Sequence, residues 1–134
     1  MFLGLVFLGH FIDDISASRN LAVIYVNTKE LLLAFFDAEN KRDWTTYRQF
    51  LSPDVVWELH SKHVKTTKGI DNYLAAMMEA YKDSDNTFVC EALHQSFDGT
   101  RIVAILKNNL GECSCDIFEF SDGHIVKEYE FILA

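Results

Sequence analysis

The sequence predicts an α+β domain, and three observations carry that reading. Apolar residues recur at helical spacing in three stretches between residues 27 and 81, whereas beyond Ser84 they alternate with a period of two. A further alternating stretch, 55–60, separates the second helix from the third. The dipeptides Asp98-Gly99 and Asp122-Gly123 interrupt the alternating half where hairpin turns would, because both residue types tolerate the positive φ of a tight turn. Helices that precede a run of antiparallel strands gather on one side of the sheet.

Each element has its own signal. Asn27 followed by Glu30 has the pattern of a capping box, and Leu32, Phe35 and Phe36 then recur at helical spacing, so a first helix runs to the neighbourhood of Lys41. Asp43 is a good N-cap for a second, short helix whose Trp44, Tyr47, Phe50 and Leu51 form one stripe. Ser52-Pro53 stops it, since the residue before proline avoids the helical region. In the strand 55–60, Val55, Trp57 and Leu59 take one face and Val56, Glu58 and His60 the other. A polar loop follows, then a third helix with Ile70, Leu74, Met77 and Tyr81 on one face. The remaining strands are expected at 87–97, 101–110, 113–120 and 125–133, as an antiparallel meander.

With 134 residues, 49% of them hydrophobic, the chain suits one core, and no linker or repeat divides it. The domain is read as 27–134, with 1–26 an N-terminal extension. Residues 1–11 are strongly apolar, yet no Lys or Arg precedes them and they fall short of the roughly 20 residues of a membrane span. Residues 20–26 form a second short apolar stretch. The extension is either an over-long reading of the gene, with the ancestral start near Val26, or a segment that covers apolar surface.

A formal net charge of −8 repels polyphosphates and anionic lipid, which argues against nucleic acid and membrane as partners. Cys90, Cys113 and Cys115 are odd in number and sit inside apolar or alternating runs, which points to reduced thiols and a cytoplasmic setting. Cys113 and Cys115 would share a strand face, but two thiolates do not complete a tetrahedral zinc site.

The segments DAENKRDWTTYRQFLSPDVVWELH, KGIDNYLAAMMEAY and CDIFEFSDGHIVKEYEF, in that order, resemble the nuclear transport factor 2-like superfamily and its SnoaL-like, ketosteroid isomerase-like members, over residues 27–133. The resemblance implies a cone-shaped, curved antiparallel or mixed sheet packed against three N-terminal helices, a cystatin-like roll. Members include isomerases, polyketide cyclases, hydrolases and non-enzymatic binding domains, so fold does not assign chemistry. The isomerase works with an Asp base, a Tyr and a protonated Asp. Aligned on this chain, its base falls at Leu59 and its helix-one tyrosine at Phe35, neither of which can exchange a proton, while Asp116 matches the protonated carboxyl.

Asp116 therefore leads the candidate catalytic residues: facing an apolar cavity it would be a proton donor, and at the sheet edge or beside a basic residue it would be structural. Glu128 is a second candidate and Glu130 a polar ligand contact. The resemblance turns their face toward the cavity, whereas Ile125, Tyr129 and Phe131 make the opposite face the more apolar one. His94 is a further acid-base candidate if it lines the cavity, with a structural hydrogen-bonded role as the alternative. Trp57, Leu59, Tyr73, Met77 and Phe118 are expected either to wall an apolar pocket or to pack as plain core. Glu58, His60 and His63 carry metal-ligand chemistry, but their spacing matches no known site, so neither metal nor cofactor is expected. The partners expected are a small apolar or amphipathic ligand and a second copy of the chain. A non-enzymatic dimerisation module with its cavity plugged by Trp57 and Met77 is the alternative.

Overall fold

The computed structural model describes residues 27–134, and the expectations for 1–26 fall outside them. Helix α1 spans Thr28–Asn40, with the Asn27 side chain accepting from the Lys29 N–H at 3.0 Å rather than from the Glu30 N–H. Its stripe Leu32, Phe35 and Phe36 is buried. The chain reverses at Arg42, whose φ of 57° is left-handed. The Arg42 guanidinium holds that corner by donating to the carbonyls of Ser84 at 3.0 Å and Asn86 at 2.6 Å. Asp43 then caps α2, Trp44–Arg48, through Thr46 N–H at 3.2 Å.

Strand β1 is Leu51–His60, longer at its start than the expected 55–60. Pro53 is tolerated because the pairing with the last strand is broken between Leu51 and Val56, where a missing N–H costs no ladder bond. Strand β2, Val64–Lys68, occupies what the sequence reading gave as a polar loop. It pairs antiparallel with β1 at the sheet edge and buries no face, so its ladder holds it without an apolar pattern. Helix α3, Ile70–Tyr81, starts after Gly69 at φ 88° and buries Tyr73, Leu74 and Met77.

Strands β3 (Phe88–Gln95), β4 (Arg101–Asn108), β5 (Cys113–Ser121) and β6 (His124–Leu133) form the expected meander. Asp122 and Gly123, both at positive φ, make the tight turn between β5 and β6. Between β3 and β4, Asp98 instead accepts from Thr100 N–H at 3.0 Å and Ser96 Oγ at 2.8 Å, which holds its carboxyl down at about 2. The sheet order is β2-β1-β6-β5-β4-β3, with β1 parallel to β6 and every other pair antiparallel.

The sheet is curved and open, and two bulges contribute to its bend. Glu91 is the extra residue of β3 against β4, and Val126 that of β6 against β5. The three helices cover the concave face, where Phe35 stacks on Tyr47 at 4.1 Å and meets Phe118 edge-on at 6.1 Å. Ile102, Ala104, Phe118 and Ile125 close the core from the sheet side.

Candidate functional site

Between α1, α3 and the concave sheet lies a cavity of about 340 Å³. Alternation along β5 turns Asp116 and Phe118 toward it. Strand β6 reaches the same side by its bulge. With Val126 as the extra residue, both Ile125 and Glu128 are buried although three positions apart, and Glu130 and Ile132 follow Glu128 into the cavity wall. This resolves the conflict within the β6 pattern: Ile125 does not share a face with Tyr129 and Phe131. Pairing then sets Asp116 beside Glu130, Phe118 beside Glu128, and Trp57 and Leu59 of β1 beside Glu128 and Glu130.

The result is an acidic group in an apolar chamber. Asp116 is 2% and Glu128 4% exposed, and no buried side-chain polar atom among the described residues lacks a partner. Neutral hydroxyls and an indole supply the donors. Tyr73 donates to Glu128, Ser114 Oγ to Asp116 at 2.6 Å, and Trp57 Nε1 to Glu130 at 3.1 Å. Across the cavity Glu39, on the last turn of α1, accepts from Tyr47 at 3.0 Å and from Tyr81. Tyr47 and Tyr73 hydroxyls lie 3.3 Å apart.

Burial without a cation in the lining decides the protonation. It pushes Glu128 well above the usual carboxylate range, with the Asp116 and Glu130 charges adding to the rise. Asp116 is also raised by burial, against hydrogen bonds from Glu128 and Ser114 that favour its charged form. Glu130 is pushed up to about 8 by burial and then by Asp116 and Glu39, and Glu39 to about 7 by burial against the Tyr81 and Tyr47 bonds. Burial thus keeps Asp116 and Glu128 from ionising together. Burial also raises Tyr47 and Tyr73, which stay neutral hydroxyls. Oxygens of Asp116, Glu128 and Glu130 lie within 4.8 Å of one another, so among the described residues these three could gather around a cation. Shared protons relieve the same crowding without an ion.

The remaining candidates divide. Trp57, Leu59, Met77 and Phe118 line the cavity, so Trp57 and Met77 form its wall and do not plug it. Tyr73 is fully buried behind that wall and reaches the site through its hydroxyl. Leu59 and Phe35 leave the isomerase's base and tyrosine positions without a titratable group, Leu59 lining the cavity and Phe35 buried against Tyr47. His94 requires a correction: the Glu91 bulge and the pairing with Val103 put it, exposed, on the convex face, away from the cavity. Glu58 and His60 touch at 2.7 Å, with the His60 ring stacked on Phe131, while His63 is exposed in the turn beyond. The three do not converge.

Glu39, Tyr47 and Tyr81 are site residues that the sequence reading passed over. Their signal was present: Glu39 continues the helical face of Leu32, Phe35 and Phe36, an acid on an apolar stripe.

No helix among the described residues is long and apolar enough to cross a membrane. None of the curated proteins matches the chain significantly. Among solved structures, a candidate ketosteroid isomerase from Kribbella flavida DSM 17836 is similar at 23% identity and a TM-score of 0.69, over 81% of this chain and 78% of that one. Bal32a, from a soil-derived mobile gene cassette, is similar at 21% and 0.71, over 78% and 87%. A candidate polyketide cyclase from Pseudomonas putida KT2440 is similar at 19% and 0.66, over 81% and 92%. At such identities the likeness is one of fold. The model of the SnoaL-like domain matches residues 32–128, most of the chain, and the chain belongs to that family.

Proposed function

We propose that the cavity binds a small, largely apolar ligand and that Asp116, Glu128 and Glu130 exchange protons with it, without a cofactor. The observation that supports this is the cavity itself: about 340 Å³, walled by aliphatic and aromatic side chains, with three carboxyls at one end. Neutral carboxyls in an apolar chamber donate to a carbonyl or hydroxyl of a ligand, and an ionised neighbour takes a proton back. Similarity to a candidate isomerase and a candidate cyclase is in keeping with such chemistry. The domain proper is read as 27–134, and its three free thiols suit the cytoplasm.

The test is a panel of apolar ketones and a neutral environment-sensitive dye, titrated against the wild type and Met77→Trp, whose larger ring intrudes on the cavity. Saturable binding to the wild type and at least a tenfold loss in Met77→Trp are expected. Binding that Met77→Trp leaves unchanged would place the ligand elsewhere, and no binding of any probe at millimolar concentration would overturn the reading.

A second copy of the chain is the proposed protein partner. Ile105, Ile117, Tyr129 and Phe131 are only partly buried on the convex face, an apolar surface of the kind antiparallel sheets cover on a twofold. A monomer in sedimentation at micromolar concentration would sink this part.

A further inference from the structure

We propose that Glu39, Tyr47, Tyr73 and Glu128 form one proton relay, holding a single shared proton that passes between two carboxyls on opposite walls of the same cavity. The chain has three oxygen-to-oxygen contacts: Glu39 to Tyr47 at 3.0 Å, Tyr47 to Tyr73 at 3.3 Å, and Tyr73 to Glu128. A hydroxyl carries one proton, so the two tyrosines fill only two contacts. If each donated outward to an ionised carboxylate, the hydroxyl oxygens would face each other with nothing between them, inside the core where an unmade bond costs most. One carboxyl proton completes the chain.

That proton has two places to sit. With Glu39 neutral, Glu39 donates to Tyr47, Tyr47 to Tyr73, and Tyr73 to the Glu128 carboxylate. With Glu128 neutral, every bond reverses, ending on the Glu39 carboxylate. Passing from one state to the other breaks three O–H bonds and forms three. The net result is one proton moved from Glu39 to Glu128, with no oxidation or reduction. Both end carboxyls line the cavity while Tyr47 and Tyr73 are fully buried, so the path excludes solvent.

This deepens the ligand-cavity reading and rests on it for its consequence: the reaction class is a proton shift between two positions of one bound ligand. Starting with Glu128 neutral and Glu39 ionised, Glu128 gives its proton to the ligand at one wall, Glu39 takes a proton from the ligand at the other, and the relay then moves one proton from Glu39 back to Glu128. Glu39 and Glu128 would touch ligand. Tyr47 and Tyr73 act through them and are positioning residues.

Other charges face the ends and enter any titration. Glu39 sees Tyr81 of α3, Arg42 at the α1 corner and Asp116 of β5, and Glu128 sees Asp116 of β5 and Glu130 of its own strand. The test therefore compares effects along the chain. The full-length protein, labelled with ¹³Cδ-glutamate and free of ligand, is titrated by NMR as wild type, Tyr47→Phe and Tyr73→Phe. In the wild type, the Glu39 and Glu128 curves should each show the same two steps, as strongly coupled sites do.

Because the links are in series, cutting either should decouple both ends and move the Glu39 midpoint by about half a pH unit or more, a threefold change in proton affinity. Tyr73→Phe is decisive because Tyr73 does not touch Glu39. If it leaves the Glu39 curve unchanged, the two tyrosines serve only their own neighbours and the relay is refuted. If a variant fails to fold, the wild type alone decides: independent single-step curves for Glu39 and Glu128 overturn the proposal. Since no ligand is present, a negative result leaves the cavity reading standing, and failure to bind ligand leaves the relay standing.

Discussion

Replacing Glu39 by Gln should leave stability nearly unchanged in acid and raise it in alkali. Burial lifts the Glu39 carboxyl from an ordinary 4.5 to about 7, so the folded protein holds that proton over a pH range where the unfolded chain has released it. Stability must then fall as pH rises, beginning near the unfolded value of 4.5 and levelling off above about 7. At about 1.4 kcal/mol per pH unit, a rise of roughly 2.5 units amounts to about 3 kcal/mol lost by the wild type on this account.

Glutamine has nearly the shape of the neutral acid and does not titrate, so Glu39→Gln removes that loss. Near pH 4, where the wild-type group is neutral in both states, the two proteins should agree to within about 1 kcal/mol, the worth of one rearranged hydrogen bond. Above about pH 8 the variant should be more stable by about 3 kcal/mol. Urea unfolding of both proteins from pH 4 to 9 measures the difference directly. A difference that does not change with pH would mean that Glu39 titrates alike in both states, and the account of a buried carboxyl served only by neutral donors would be wrong.

Three further outcomes follow from the same geometry. Asp116→Leu should raise the stability measured at pH 8 by about 1–2 kcal/mol, because it removes a buried acid facing Glu128, and a loss of that size would show that its hydrogen bonds with Ser114 and Glu128 outweigh that repulsion. Phe35→Ala should cost about 3–5 kcal/mol in urea unfolding, since the ring is 1% exposed and packs against Tyr47 and Phe118; a cost under about 1 kcal/mol would contradict the packing. A chain lacking residues 1–25 should still fold, because the caps, turns and ladders described above close within 27–134; a large drop in melting temperature by circular dichroism would show that the segment belongs to the domain.

The elements read most easily were those whose burial repeats in the sequence. Leu32, Phe35 and Phe36 mark α1, Leu74 and Met77 mark α3, and Asp122-Gly123 fixes the last hairpin through two positive φ values. Strand β2 was illegible for the complementary reason: Val64–Lys68 is an edge strand with no buried face, and backbone hydrogen bonds to β1 leave no trace in side-chain hydropathy. The start of β1 was hidden by Pro53, whose usual meaning as a stop fails where the partner strand offers nothing to its missing N–H.

The site was legible only in halves, and the bulge at Val126 explains why. A strictly alternating β6 forces a choice: either Ile125, Tyr129 and Phe131 face the core and the acids face water, or the acids face the core and Ile125 does not. One inserted residue removes the choice. Ile125 fills the base of the cone at 0% exposure, and past the bulge Glu128 and Glu130 turn inward and leave Tyr129 and Phe131 on the convex side. The same device explains why the cluster persists despite its cost. Were Glu128 set on the outer face, the fully buried Tyr73 hydroxyl would lose the carboxyl it donates to and keep Tyr47 as its one partner. The helices are thus built around the acids as much as around the apolar stripe: Tyr47 from α2 and Tyr73 and Tyr81 from α3 each spend their only hydroxyl proton in this network.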